Sequence, residues 1–563
     1  MAAPPPSSSS APAPLTLRLT PLEQQLRDLL VSVAKFIDEQ DLGDAASAAA
    51  AAAAPPAEGG SSSSSSTTTT TTTDATPARR DPVVLRWAGG WVRDKLLGIE
   101  SHDIDTAINV MTGEAFVDRL REYADVPEHQ RRHGIGPDDI GRLHKVARNP
   151  DKSKHLETST IRLCGLDVDF VNLRKETYTE ESRNPLVEFG TAEEDALRRD
   201  ATVNALFYNL NTGLVEDFVG GVEDLGNKVL RTPMEPLQTF LDDPLRVLRL
   251  VRFASRLEFA IDPAAEAVMA DERVLSMLRV KISRERIGTE LEKMLKHPHA
   301  VQALRFLDRL GLYHAVFTDP ERADMPRPST SAWHVAYECL HRLEQTKTPG
   351  SIYDLLVTCE EARYYAWSMA TLTPFEQLPD DVPLRSGKPA PPLATQAARG
   401  GFKATNRMCD VITAAHSNRR AILELRDVVR ERREGVDARD RFGMAIRDWD
   451  ARGCMWRLQV LYAILADVAE RVPSGAEAEP VLAEWQAFLD HLVDLDVMNA
   501  PSLKRLVDGN MLTKALGVRG GVWTKAALDV TLAWQLRNPG VEDPAGAIEE
   551  VRKRRDELGI PRS

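Results

Sequence analysis

Between Val83 and Val110 the sequence changes its period three times, and few folds accept the order it imposes. VVLRWA (83–88) is β-branched and apolar, the composition of a buried strand. Gly89-Gly90 interrupts it, WVRDKLLG reads as a short helix closed by Gly98, and HDIDTAINV (102–110) alternates as a second strand. Residues i and i+2 of a strand share a face, so Asp103 and Asp105 project together. Two close carboxylates raise each other's pKa unless a cation lies between them. Magnesium would relieve that repulsion, because it takes hard oxygen ligands and leaves room for phosphate oxygens. A solvated edge strand is the plain alternative for a DxD alone. The glycine pair shifts the balance, since it lets backbone N–H groups approach a phosphate at a helix start, with Arg93 one turn in. A phosphate cradle and a metal-binding pair 14 residues apart describe a nucleoside-triphosphate site with two-metal chemistry. GxxxxGK[ST] does not occur, so this is not a P-loop chain.

With 563 residues the chain has room for two to four domains. Its net charge of -13 argues against non-specific coating of nucleic acid, although a local basic groove can sit on an acidic body. Five scattered cysteines without a CxxC read as free thiols in a reducing compartment, and no apolar run of about 18 residues predicts a membrane span. Residues 1–14 are Pro/Ser/Ala-rich and read as disordered. Leu15 to Gln40 reads as an amphipathic helix entered at Thr20-Pro21. Ala45 to Ala54 and the Ser/Thr tract 61–73 read as a flexible insertion. The N-terminus is Ser/Ala-rich with Arg18 and no acid, compatible with a transit peptide but weakened by its prolines. Localisation is therefore left between nucleus, cytoplasm and mitochondrion. TIRLCGLDVDFVNLR (160–174) reads as a hairpin, EEDALRRDATVNALFYNL (193–210) starts as a helix, and nearly everything from 236 reads helical, with a loop at about 379–400.

Five blocks in register carry a resemblance. GGWVRDKLLGIESHDID (89–105), RRDATVNALF (198–207), DFVGGVEDLGNKVLRT (217–232), DDPLRVLRLVRFA (242–254) and SRERIGTELEKML (283–295) resemble, in order and spacing, the class II nucleotidyltransferases of the polymerase-β type. Among these the chain most resembles eukaryotic CCA-adding tRNA nucleotidyltransferases, which share their head with bacterial poly(A) polymerases. The match spans about 80–315; beyond it only length, helicity and a stretch near Gly509 to Gly517 agree. The resemblance implies an α+β chain: a small N-terminal polymerase-β-like head followed by an all-α neck, body and tail. The expected domains are 1–80 (helix plus disordered insertion), 81–232 (nucleotidyltransferase head), 233–315 (helical neck with base-recognition helix) and 316–563 (helical body and tail, tRNA-binding).

It further implies template-independent CCA addition to tRNA from CTP and ATP. Asp103 and Asp105 would be the catalytic, magnesium-holding pair, and Gly89, Gly90, Arg93, Arg199, Asp200 and Asn204 would bind the nucleotide. Asp243, Arg246, Arg249 and Arg252 would complete the nucleotide pocket. The chemistry of base choice can be read directly. Cytosine and adenine both present an exocyclic amine beside an unprotonated ring nitrogen, whereas uracil and guanine present a carbonyl and an N–H. One acceptor and one donor side by side, Asp243 and Arg246 three residues apart on one helix face, accept the first pair and reject the second. Each unpaired group costs about 1–3 kcal/mol, enough for useful discrimination.

Asp169, in a second DxD (Asp167, Asp169), is a candidate third carboxylate, with a structural acid as the alternative. Lys154, His155 and Glu157 sit at the end of a charged stretch (131–160) that reads as a flexible loop between blocks. Arg419-Arg420, Arg430 to Arg433 and Arg552 to Arg555 are candidate tRNA phosphate contacts, each more often a solvated helix face. Poly(A) synthesis, CC-only or A-only addition and a catalytically idle tRNA-binding chaperone remain open at this level. Oligomeric state is not legible.

Overall fold

The structure, a computed structural model, describes residues 14–53, 81–136, 139–142, 144–146, 158–177, 186–322, 324–379, 390–472 and 477–561. Strands β1 (Leu85–Ala88), β2 (Asp103–Ile108), β3 (His144–Val146), β4 (Thr158–Leu163) and β5 (Leu166–Asn172) form one sheet with β8 (Phe207–Asn209) and β9 (Leu214–Glu216). β6 (Arg174–Thr177) and β7 (Leu186–Phe189) make a separate antiparallel pair. The seven-stranded order is β3-β4-β5-β2-β1-β8-β9, antiparallel throughout except for β2 and β5. The helices of this part are α1 (Pro21–Ala53), α2 (Gly90–Leu96), α3 (Gly113–Ala124), α4 (Pro127–His133), α5 (Ala192–Leu197), α6 (Gly221–Asn227), α7 (Pro236–Asp242) and α8 (Leu245–Leu257).

Strand alternation gives the sheet two unlike faces. On one, Leu85, Trp87, Ile104, Ile108, Ile161, Leu163, Val168 and Phe170 are buried in one cluster with Leu26, Leu30, Val33 and Ile37 of α1 and Phe116, Val117 and Leu120 of α3. On the other, the buried residues are mostly small: Ala88, Ala107, Ala192, Ala196 and Ala205 with Leu173 and Phe207. Small side chains let α5 and the turn after it approach the sheet closely.

Helix α1 begins at Pro21, where Thr20 N–H donates to Glu23 Oε2 (2.7 Å) and Glu23 N–H donates back to the Thr20 hydroxyl (3.3 Å). Full burial of Leu26, Leu29, Leu30, Val33 and Ile37, about 1.5–3 kcal/mol each for the larger chains, binds it to the sheet. It continues to Ala53, so the first alanines of the tract expected to be flexible are helical. Alanine has the best helix propensity, and a nucleated helix adds residues cheaply.

The chain divides into two compact units, Met1–Arg246 with Glu258–Met269 and Val247–Leu257 with Ala270–Ser563, the division falling within α8. The regular elements among the second unit's described residues are helices. In it, helices Asn406–Arg430, Trp456–Arg471 and Glu479–Asp494 bury Ile412, Tyr462, Trp485 and Phe488. The expected loop at 379–400 is shorter than read. Residues 380–389 lie outside the described residues, and helix Leu393–Phe402 forms because Leu393, Ala394, Ala397 and Phe402 find a buried face. All five cysteines are free thiols. Among the described residues no helix is long and apolar enough to cross a membrane.

Candidate active site

β1 ends against Gly89, whose φ of 69° lies in the left-handed region, and α2 starts at the next residue. A Cβ at Gly89 would lie 2.7 Å from Arg199 Nη1, so the turn requires glycine for conformation and for space. Gly90 has no such crowding; its missing side chain leaves the backbone at the head of α2 open.

Asp103 and Asp105 both stand exposed on the small-residue face, while Ile104 between them is buried. The parallel pairing of β2 with β5 sets Asp103 opposite Asp167 and Asp105 opposite Asp169, bringing both DxD pairs together. Asp169 Oδ1 accepts the Thr160 hydroxyl at 2.5 Å. The Asp105 carboxyl is open to solvent on one side and walled by protein on the others. That partial desolvation pushes its pKa up to about 6; Arg199 opposes the rise, and Asp103, Asp169 and Asp195 add to it. Among the described residues no three His, Cys, Asp or Glu side chains are placed to hold an ion unaided. Asp103 and Asp105, two hard-oxygen carboxylates on one strand face, fit a divalent cation that would also take phosphate oxygens.

The arginines around this face are held by partners that the sequence did not reveal. Asp195 on α5 is 2% exposed and accepts from Arg198 Nε (3.0 Å), Arg199 Nε (3.0 Å) and Arg174 N–H (3.3 Å). Burial alone would raise the Asp195 pKa, but Arg199 and Arg198 together hold it below the usual carboxylate range. Anchored this way, Arg199 donates Nη1 to the Asn204 carbonyl (2.9 Å) and lies over the Phe207 ring at 5.0 Å. Arg93 is buried. It pairs with Asp94 (Nη2–Oδ1 2.7 Å) and donates to the Asn204 amide oxygen. Asn204 in turn donates to Asp200 (3.0 Å). Arg93, Asn204 and Asp200 thus form one buried chain behind the glycine turn.

Asp243 is not on a helix with Arg246. α7 ends at Asp242 and α8 starts at Leu245, leaving Asp243 extended (φ -135°, ψ 96°) with its carboxylate accepting Leu245 N–H at 3.2 Å. Pro244 explains the break, since the residue before proline is driven out of helical geometry. Arg246, in the first turn of α8, is buried and donates to Thr239 O (3.3 Å) and Arg198 O (2.7 Å), which joins it to the same arginine segment. In the second unit, Arg252 and Arg249 both reach Glu290 on helix Arg284–Leu295, at 2.6 and 3.9 Å. Glu290 is buried, and its place about two turns along a separate block gives no sequence signal of this pairing. Lys154, His155 and Glu157 lie outside the described residues. The basic runs of the second unit are largely occupied by acids: Arg430 and Arg433 meet Glu431 at 2.8 and 2.5 Å, and Arg552 meets Glu549 at 3.3 Å.

Residues 85–231 match the family described as "Poly A polymerase head domain", and residues 258–325 match "Probable RNA and SrmB- binding site of polymerase A". Over 99% of its length the chain is 50% identical to Nucleotidyltransferase lcsQ of Purpureocillium lilacinum, covering 96% of that protein. It is 36% identical to the mitochondrial CCA tRNA nucleotidyltransferase of Saccharomyces cerevisiae, over 82% of this chain and 86% of the yeast protein. The chain belongs to the CCA-adding tRNA nucleotidyltransferase family. As a member it is a nucleotidyltransferase, and the residues that match the head-domain family lie in the sheet-bearing unit. The fold agrees with that of a solved Thermotoga maritima CCA-adding enzyme complexed with tRNA (TM-score 0.55, 20% identity, 84% of this chain and 91% of that one).

Proposed function

We propose that this nucleotidyltransferase builds CCA onto the 3′ end of tRNA from CTP and ATP, releasing pyrophosphate. The observation that carries the reading is the meeting of Asp103 and Asp105 with the Gly89 turn and the anchored Arg199, a place where a triphosphate can lie against carboxylates without a template strand. Asp103 and Asp105 would hold magnesium, which would supply charge to offset the phosphates and ease ionisation of the attacking hydroxyl. Asp169 is a third carboxylate at the same site. The tRNA 3′-hydroxyl attacks the α-phosphorus in line, and Gly89, Gly90 and Arg199 position the phosphates. Arg93, Asp200 and Asn204 fix the floor of the nucleotide pocket. Asp243 accepts the exocyclic amine and Arg246 donates to the ring nitrogen, so cytosine and adenine are chosen alike. Arg249 and Arg252, steadied by Glu290, are the nucleotide-binding residues of the second unit. The mitochondrial names of the yeast relatives support import into that organelle.

The test is incubation of the full chain with tRNA lacking its 3′ end and each NTP in turn. Two C residues followed by one A are expected, with incorporation lost on chelation of divalent metal. Long adenylate tracts, or retained RNA binding with no incorporation, would overturn it. Asp243→Ala should relax the preference for C and A over U and G by about tenfold, since one mispaired group costs about 1–3 kcal/mol. Unchanged selectivity would refute the pairing.

A further inference from the structure

Behind the head sheet, on the helical layer away from Asp103 and Asp105, α1 and α4 enclose a cleft of about 410 Å³ lined by Gln25, Arg27, Asp28, Val31, Ser32, Lys35, Arg132 and His133. Its walls are pinned together. Gln25 Nε2 donates to the His133 carbonyl at 2.8 Å, and the His133 ring meets the Tyr123 hydroxyl at 3.1 Å. Arg27 is tied by Nε to Leu210 O at 2.9 Å, which fixes its guanidinium at one end. Lys35 and Arg132 are exposed and make no hydrogen bond or ion pair among the described residues, unlike the paired arginines of the second unit. The one acid, Asp28, accepts from Gln24 at 2.8 Å. Arg27, Val31 and Lys35 follow i, i+4, i+8 along α1, a stripe about 12 Å long by helix rise.

We propose that this cleft is a second RNA-contacting surface, in which Arg27, Lys35 and Arg132 engage successive phosphates of an RNA backbone. A 12 Å stripe of cations exceeds what one inorganic phosphate spans, and it belongs to a chain whose net charge is -13. Among the described residues Val31 is the only apolar one lining it, whereas a protein partner would need an apolar centre. The inference rests on the reading that the chain acts on RNA, and it adds a contact remote from the carboxylates that read no base.

The test uses the full chain and fluorescein-labelled tRNA lacking its 3′ end, titrated by anisotropy across a salt series. Removing two phosphate contacts in the Lys35→Gln/Arg132→Gln pair should lower the slope of log affinity against log salt by about 1.4–1.8. Affinity should fall about tenfold or more near physiological salt, with kcat on a minimal hairpin acceptor unchanged. The pair touches only exposed side chains, and a Lys35→Glu/Arg132→Glu pair with an unaltered melting curve should deepen the loss. Unchanged slope and affinity would overturn the inference, as would loss of binding to polyglutamate with RNA binding intact, which would make the partner an acidic protein. A wild-type chain that incorporates nothing yet shows the salt-slope change would refute CCA addition and leave this surface standing.

Discussion

Asp105 in the head and Glu484 in the helical unit are the same kind of group in opposite company. Partial burial, with Asp103, Asp169 and Asp195 nearby, pushes Asp105 up to about 6 despite Arg199. The Arg471 hydrogen bond, helped by Arg430 and Arg426, draws Glu484 down to about 2. Arg471 grips both Glu484 oxygens at 2.8 Å, and Asp467 accepts from Arg426 (2.8 Å) and from the Trp485 indole (2.9 Å). Three helices are locked together by that network. The head gathers carboxylates that repel one another; the helical unit sets Glu484 and Asp467 against arginines. Like-charge crowding marks a site of chemistry, and opposite-charge pairing marks structure.

The sharpest way to break the comparison is Asp105→Asn. Nucleotide incorporation should fall about a thousandfold or more in single-turnover assays, the loss of several kcal/mol of charge stabilisation. The melting temperature should hold or rise, because a repelling charge is gone; a drop of several degrees would make Asp105 a structural acid. Asp467→Ala should show the reverse. It leaves Arg426 buried without its main partner and should cost about 3–5 kcal/mol in denaturant unfolding while the head's nucleotide affinity stays intact. Asp195→Asn tests a residue that joins both behaviours. Loss of the anchor for Arg198 and Arg199 should raise KM for CTP and ATP about tenfold and cost about 2 kcal/mol of stability, read by steady-state kinetics and thermal melting. An unchanged KM would sever Asp195 from the nucleotide pocket. Glu484→Gln is the smallest, about 1 kcal/mol, since the pair is partly open to water. Its contribution should be present above the unfolded carboxylate pKa near 4.5 and vanish as pH falls toward 2, so wild type and variant should converge in acid melts.

Local chemistry on the face of Asp103 and Asp105 is legible. β1, α2 and β2 lie where the period changes placed them, and the shared face of Asp103 and Asp105 follows from strand alternation alone. The β4–β5 hairpin was equally plain. Partners separated along the chain were not. Asp195 sat inside a quoted block without its role being visible, because nothing in EEDALRRD says that the helix turns its third acid under two arginines. Three-residue spacing places Asp243 on the helix of Arg246, but Pro244 beside it drives Asp243 into extended backbone. The alanines up to Ala53 were read as flexible from their lack of bulk, although their propensity favours extending a helix already nucleated by α1.

By itself the sequence determined the strand–glycine–helix–strand unit, the paired acids on one side of β2 and the helical remainder, since these follow from local periodicity and backbone preference. Tertiary structure alone decided that β5 runs parallel to β2 and carries Asp169 to Asp105, that α1 belongs to the head core, and that Arg93 faces inward to Asn204. Those outcomes depend on which surfaces bury each other, a competition among distant segments that spacing along the chain does not encode.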